Sequence, residues 1–416
     1  MSYSFELQTE AIMQRKTLWF AILVSALGYF VDVYDIILFS NVRIPSLKSL
    51  GLSEEEITSV GLSLINIQLT GMLLGGIAFG MLGDKRGRLS ILFGSIFLYS
   101  SATLANAFVT TVPMYAVLRF IAGIGLAGEL GGGITLVNEL MSKEKRGLGT
   151  MIIATAGICG GIASGLVSHF MSWQSAYVLG GLGGFILLLL RISVKESPLF
   201  TQMNQQKNVR QGDPLLFFRT PTLLTKYLKC LLVGAPFWVF VGLFMTFAPE
   251  LGQALEVTEP VTTGLAFLYF NIGLGMGDLS SSLLSQWLQS RRYAVMIFLA
   301  CSFICVTAFL TLNEPSSALF YFFCCALGLS SGHWAVFLMM ATEQFGTNLR
   351  TTVSASLPNF VRAMAIPFSG LLVCIKPHVG ILGGLGGIAL LCILLAFIAA
   401  YCLPETFAKT LDFVEQ

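Results

Sequence analysis

The sequence predicts an all-α membrane protein of twelve transmembrane helices, arranged as two pseudo-symmetric six-helix bundles. Three observations lead there: a composition poor in charge, uncharged runs of the length a bilayer requires, and basic residues gathered on alternate connections. Of 416 residues, 55% are hydrophobic and 11% charged, against about 25% charged in an ordinary soluble domain. A globule of this size has no interior large enough for so much apolar surface. Uncharged runs include Ile57 to Gly83, Leu89 to Leu118, Gly147 to Leu190 and Pro377 to Leu403.

In order along the chain, the first span is expected at 18–40. It follows a polar head and runs on through Asp32 and Asp35 with no small-residue cleavage site, which reads as a retained helix. Spans at 58–82, 90–109 and 113–139 follow. The run Gly147 to Leu190 exceeds the ~20 residues of one crossing, so it divides into 148–169 and 174–194 near His169 to Gln174. Residues 196–225, rich in Gln, Asn and basic side chains, read as a cytoplasmic linker between an N-terminal half, 1–195, and a C-terminal half, 226–416. The second half supplies 226–248, 261–287, 293–312, 316–342, 351–373 and 378–402. Glycines such as Gly71, Gly75 and Gly123, Gly125 let neighbouring helices approach closely.

Charge placement fixes the orientation. With the amino terminus inside, the inner connections collect Arg15, Lys16, Lys85, Arg86, Arg88, Lys143, Lys145, Arg146, Arg291, Arg292 and Arg350, while the outer ones keep little beyond Arg43, Lys48 and Lys376. Both termini are therefore expected in the cytoplasm. The formal net charge of +2 offers no case for nucleic-acid binding, and nine scattered cysteines lack metal-ligand spacing. No nucleophile–base arrangement, metal cluster or nucleotide loop stands out, so the chain is not expected to be an enzyme or to carry a cofactor.

An internal repeat accompanies the span map. A shift of 204 positions lays Arg88 on Arg292, Glu139 on Glu343 and Arg146 on Arg350. Each of these lies where a helix meets the cytoplasmic face, and duplicated halves are a common way to build a machine that rocks around a midplane site.

The segment Gly80-Met81-Leu82-Gly83-Asp84-Lys85-Arg86-Gly87-Arg88 resembles the signature loop of the major facilitator superfamily, G-x-L-x-D-x-x-G-R. Arg119 to Glu129 resembles the R-x-x-x-G-x-G-x-x-G-E stretch of helix 4 in its metabolite:proton symporters. Glu343-Gln344-Phe345 with Arg350 resembles their helix 10 exit, with Gly346 where proline is usual. Lys195-Glu196-Ser197-Pro198 and Pro404-Glu405-Thr406 resemble the segments that close each half in sugar-porter-like members. The resemblance implies alternating access and a cytoplasmic gate formed by Asp84, Arg88, Arg119, Glu139, Arg146, Arg292, Glu343 and Arg350. The second copy of the loop, Gln286 to Arg292, lacks the Asp and Gly, so the latch is expected to be asymmetric.

Ionisable side chains inside a bilayer are costly unless they face protein or water, which makes each a functional candidate. Glu129, ten residues beyond Arg119, is the leading proton-coupling carboxylate, with Asp35, Asp32 and His333 as further candidates. Asp32 and Asp35, three residues apart, are expected on one helical face, where two charges repel unless one is protonated or paired. Arg362 is the candidate anion anchor, because its planar fork matches a carboxylate or phosphate. Asp278, His333, Tyr34, Gln68, Asn271, Trp238 and Asn359 complete the expected substrate site.

These readings predict a secondary transporter, proton-coupled, taking up a small polar metabolite such as a carboxylate or amino acid. Export is the mechanistic alternative, and a non-transporting sensor is the alternative of another class. The expected partners are the substrate, the proton and membrane lipid, with the chain acting as a monomer. The short loops point to a bacterial inner membrane.

Overall fold

The computed structural model describes residues 2–86, 88–140, 146–192, 220–345 and 347–407; the side chains of 2–18, 80–81, 83–91, 129–151, 347–352 and 354–355 lie outside that description. Six helices form the first half: α1 (Ser2–Ser49), α2 (Glu54–Arg86), α3 (Arg88–Asn106), α4 (Val112–Leu140), α5 (Arg146–Phe170) and α6 (Trp173–Arg191). In the second half come α7 (Pro221–Val239), a π-helical turn (Phe240–Met245), α8 (Ala248–Ala254), α9 (Thr263–Trp287), α10 (Arg291–Leu310), α11 (Ser317–Ser331), α12 (Trp334–Glu343), α13 (Thr347–Ala363) and α14 (Ala365–Cys402). The residues that start these helices are ordinary caps. Ser53 and Glu56 form a reciprocal capping box at α2, and Ser172, Thr262, Ser290 and Ser316 accept from the first turns of α6, α9, α10 and α11.

The result is an all-α, multi-span membrane fold. Among the described residues eight helices are long and apolar enough to cross a bilayer, fewer than the twelve expected. One of the eight, Ser356–Cys402, is a 47-residue run that joins two expected spans. At 1.5 Å per residue it measures about 70 Å, more than twice the ~30 Å hydrocarbon core. It turns at Gly380, whose φ of 70° suits a residue without a side chain. The other shortfall is in α3, α4 and α9; within α4 the apolar stretch is Val112–Gly128.

Two further boundaries differ from expectation. Helix α1 does not stop near residue 40 but continues to Ser49 through Pro45, which brings Arg43 into the helix rather than an outer loop. Helix α7 begins at Pro221, where proline's missing N–H costs nothing at the first helical position, so the second half starts before residue 226. Linker residues 196–219 lie outside the described residues.

Helix pairing repeats between the halves. In the first, α1 packs on α5, α2 on α4, and α3 on both α4 and α6; in the second, α7 packs on α14, α9 on α11, and α10 on both α11 and α14. The 204-residue shift carries α3 onto α10 and α4 onto the α11–α12 pair, so the sequence repeat and the packing repeat coincide. The halves meet chiefly along α5–α9 and α2–α13.

Two irregularities interrupt the helices of the second half. The π-helical turn follows Pro236, which removes a ladder hydrogen bond from α7. The tenth expected span is broken between α11 and α12 at Gly332 and His333. There a Cβ on Gly332 would stand 2.2 Å from the Gly277 carbonyl carbon, so backbone packs directly on backbone. Ser281 Oγ donates to the Gly332 carbonyl at 2.5 Å, occupying an acceptor that the break exposes.

Candidate functional site

Helices α1, α7, α9 and α13 bring polar side chains to the seam between the halves. Asp32 of α1 and Arg362 of α13 form an ion pair at 3.6 Å, with side-chain exposures of 0% and 3%. Arg362 is aligned from its own helix, its Nη1 donating to Asn359 Oδ1 at 3.4 Å, one turn away. Asn359 in turn donates to the Ala127 carbonyl of α4 at 3.3 Å, tying the pair to both halves. The guanidinium lies 5.5 Å from the centre of the Trp238 ring, within cation–π range. Tyr29, one turn before Asp32, stands within electrostatic reach of Arg362, Asp32 and Asp278. A Cβ on Gly157 would meet the Tyr29 ring at 2.3 Å, so α5 leaves it a groove.

A buried Arg–Asp pair without further compensation is expensive, because the desolvation of both ions offsets their attraction. Asn359, Tyr29 and Trp238 supply that compensation. What remains is a planar guanidinium fork at the seam, a shape that matches a carboxylate.

Trp238 also walls a small cavity of about 20 Å³ between the halves, lined by Ile36, Ile37, Gln68, Met72, Val241 and Phe267 among others. Such a space holds about one water, so the seam is closed around a mostly apolar lining with Gln68 among its few polar groups. The unwound turn of α7 contributes Val241 and Gly242 to its wall.

Beyond the cavity the chain is closed. In the orientation that the basic residues predict, this is the outer side. Arg43 Nη2 of α1 donates to Glu250 Oε1 of α8 at 2.6 Å and to the Thr246 carbonyl at 3.2 Å, and its guanidinium lies 4.5 Å from the Phe247 ring centre. Thr246 Oγ1 donates to Ser40 Oγ at 3.0 Å. Arg43 is fully buried and Glu250 is 16% exposed. Along α1, eleven residues or about 16 Å separate the central Asp32 from this outer lock.

Asp35 does not join Asp32. Its Oδ1 accepts from Thr103 Oγ1 at 2.8 Å inside the first half, within electrostatic reach of Arg119. Three residues turn a helix through about 300°, enough for the two aspartates to diverge, one towards α13 and the other towards α3 and α4. Arg119, expected at the gate, is instead fully buried within this first-half cluster. It donates to Gln68 at 3.5 Å and stacks near Phe39 and Tyr177. Tyr34 donates to the Ala176 carbonyl at 2.9 Å, and Asn271 to the Phe267 carbonyl of its own helix at 2.8 Å. His333 hydrogen-bonds the Ser330 carbonyl at 3.3 Å beside Phe298, within the second half. The side chains of Glu129, Asp84, Arg88, Glu139, Arg146 and Arg350 lie outside the described residues.

At the end of the second half away from the Arg43–Glu250 lock, Glu343 pairs with Arg291 at 3.6 Å and accepts from Thr406 Oγ1 at 2.8 Å. Arg292, the expected gate residue, reaches the Leu403 carbonyl at 3.4 Å instead. Glu405 caps α10: it accepts from the backbone N–H groups of Arg291 and Arg292 and from the Ser290 hydroxyl. Burial alone pushes this carboxyl up, but the hydrogen bonds from Ser290 and from the N–H groups of Phe407, Arg291 and Thr406 outweigh it and hold it below its ordinary value. Sequence reasoning missed Tyr29, Arg43, Glu250 and Glu405 as site residues. The Pro404-Glu405-Thr406 motif was the one available signal for the last of them.

Two helical halves with an ion pair on their seam, a small apolar cavity and a lock on one side define a multi-pass integral membrane transporter. A sequence model of the Major Facilitator Superfamily matches residues 18–370, and the chain belongs to that family. It is 26% identical over 381 residues to a candidate niacin/nicotinamide transporter, NiaP, of Bacillus subtilis (strain 168), covering 88% of this chain and 89% of that one. Over 375 residues it is 23% identical to a benzoate transport protein of Acinetobacter baylyi (strain ATCC 33305 / BD413 / ADP1), covering 80% and 78%. The crystal structure of a D-xylose-proton symporter superposes with a TM-score of 0.67 at 18% identity, covering 94% of this chain and 99% of that one, and so shares the fold.

Proposed function

We propose that this chain is a proton-coupled importer of a small planar monocarboxylate, working by alternating access between two six-helix halves of a twelve-span bundle with both termini in the cytoplasm. The observation that carries the reading is Arg362: a buried guanidinium on the seam, stacked on Trp238 and satisfied by Asp32 from the opposite half. When the halves part, a substrate carboxylate replaces Asp32 on the fork and its ring enters the apolar seam beside Trp238, Phe267 and Met72, which is closed in the present state. Relatives named for benzoate and niacin support this, since both compounds place one carboxylate on one ring. Their bacterial sources also support a bacterial inner membrane.

Halves α1–α6 and α7–α14 rock about this point. The Arg43–Glu250 lock closes the outer side in the present state, and releasing it admits substrate from outside.

The test is uptake of labelled benzoate and nicotinate into proteoliposomes under an inward proton gradient. Uptake is expected, with Arg362→Lys weakening apparent substrate affinity by about tenfold or more through loss of the two-pronged contact. No movement of either compound, or an unchanged affinity in the variant, removes the reading.

A further inference from the structure

Asp278 of α9 sits apart from the ion pairs. It is half-buried, and its Oδ1 accepts from the Ala335 N–H at 3.4 Å, at the start of α12. Among the described residues it forms no ion pair, whereas Asp32 has Arg362, Glu250 has Arg43 and Glu343 has Arg291. Asp35 has Thr103 and the field of Arg119. The charged and titratable groups around Asp278 are few. Helix α1 presents Tyr29 and Asp32, α13 presents Arg362 beyond Tyr29, and the break before α12 carries His333, which is turned to the Ser330 carbonyl. Helix α5 faces α9 there with Ile158, against Gly275.

The geometry points to Asp278 as the carboxylate that binds the coupled proton, with the α11–α12 break as the element that responds. This rests on the transport reading above and assigns its proton site. A residue that takes up and loses a proton in each cycle is best left without a cation beside it. In the present state Asp278 forms no ion pair among the described residues, whereas Asp32 is held by Arg362.

The consequence of protonation follows from what Asp278 touches. Ionised, it holds the N-terminus of the ten-residue α12 through a charge-assisted bond and a favourable interaction with the helix dipole. Protonated, it keeps a carbonyl acceptor but loses both electrostatic contributions. The same face of α9 grips the break through Gly277 and Ser281, so a change at Asp278 acts on a joint where the helix is already interrupted. Helix α12 ends at Glu343, paired with Arg291 at the cytoplasmic end. A rod of about 15 Å thus joins the proton site to the inner ion pair.

Two measurements test this. Dicyclohexylcarbodiimide modifies protonated carboxyls in apolar surroundings. Treatment of the full-length protein across pH 5.5 to 8.5, read by peptide mass spectrometry, is expected to place the adduct on Asp278, falling about tenfold per pH unit above its titration. Asp32 should remain unmodified. Absence of an adduct on Asp278, or an adduct on Asp32 instead, overturns the assignment.

In proteoliposomes, Asp278→Asn keeps an acceptor for Ala335 but cannot titrate. It is expected to retain benzoate counterflow while accumulation under a proton gradient falls to the equilibrium level. Wild-type accumulation by the variant overturns the assignment. If the wild-type protein moves neither benzoate nor nicotinate, the transport reading falls, while the carbodiimide pattern still decides whether Asp278 binds the proton. The same pattern decides if the variant fails to fold.

Discussion

Glu250→Gln should open the outer side. In the closed state Glu250 is the counter-charge of Arg43, whose side chain is 0% exposed. Removing one member of a fully buried pair costs about 3–5 kcal/mol. Glu250 is 16% exposed, and Arg43 would keep the Thr246 carbonyl and the Phe247 ring, so the loss here is nearer about 2 kcal/mol. In an outward-open state Arg43 meets water and loses little, so nearly all of this cost falls on the closed form. The ratio of closed to open molecules then drops by about thirtyfold.

Spin labels at Glu55 and Gln253, both exposed and on opposite halves at this end, would report the change as a longer-distance population in double electron–electron resonance. Adding Arg43→Met removes the stranded charge, so the double variant should return towards the closed distribution. An unchanged distance distribution in Glu250→Gln would refute the lock, and purely additive effects of the two substitutions would refute the pairing.

Two further outcomes concern the frame. Gly332→Ala places a methyl 2.2 Å from the Gly277 backbone, and the separation of α9 from α11 that this forces should lower the thermal midpoint by several degrees, an effect of about 2 kcal/mol or more. Glu405→Gln removes a carboxylate whose folded-state value is depressed, so its stabilisation is present above its ordinary value of 4.5 and fades as pH falls through the lower folded value. The midpoint difference between wild type and variant, followed by calorimetry, should therefore be constant near neutrality and shrink below about pH 4.5.

The central pair was legible in the sequence because an Asp and an Arg inside apolar runs are conspicuous. Asp32, Arg362, Trp238 and Asn359 meet although 330 positions separate the first two. Tyr29 was hidden by its chemistry, since tyrosine is ordinary both in membrane helices and at their ends. Arg43 and Glu250 were hidden by position. Charges at the margin of a span normally face water, and only the continuation of α1 to Ser49 draws Arg43 inside. The parting of Asp32 and Asp35 depends on which neighbouring helices lie on either side of α1, a tertiary fact that spacing does not contain. The break at Gly332 and the π-helical turn were missed for a related reason: an apolar run has the same composition whether its hydrogen-bond ladder is continuous or not.

The Asp32–Arg362 bond bears on how the carrier returns after delivery. An anchor left empty would strand a positive charge between the halves and make the unloaded protein reluctant to turn over. Such a carrier moves cargo mainly by swapping one molecule for another. Here the opposite half brings its own carboxylate to fill the vacancy, an internal decoy for the passenger. In the proposed cycle the unloaded protein therefore resets by itself, and net accumulation rather than obligatory exchange follows.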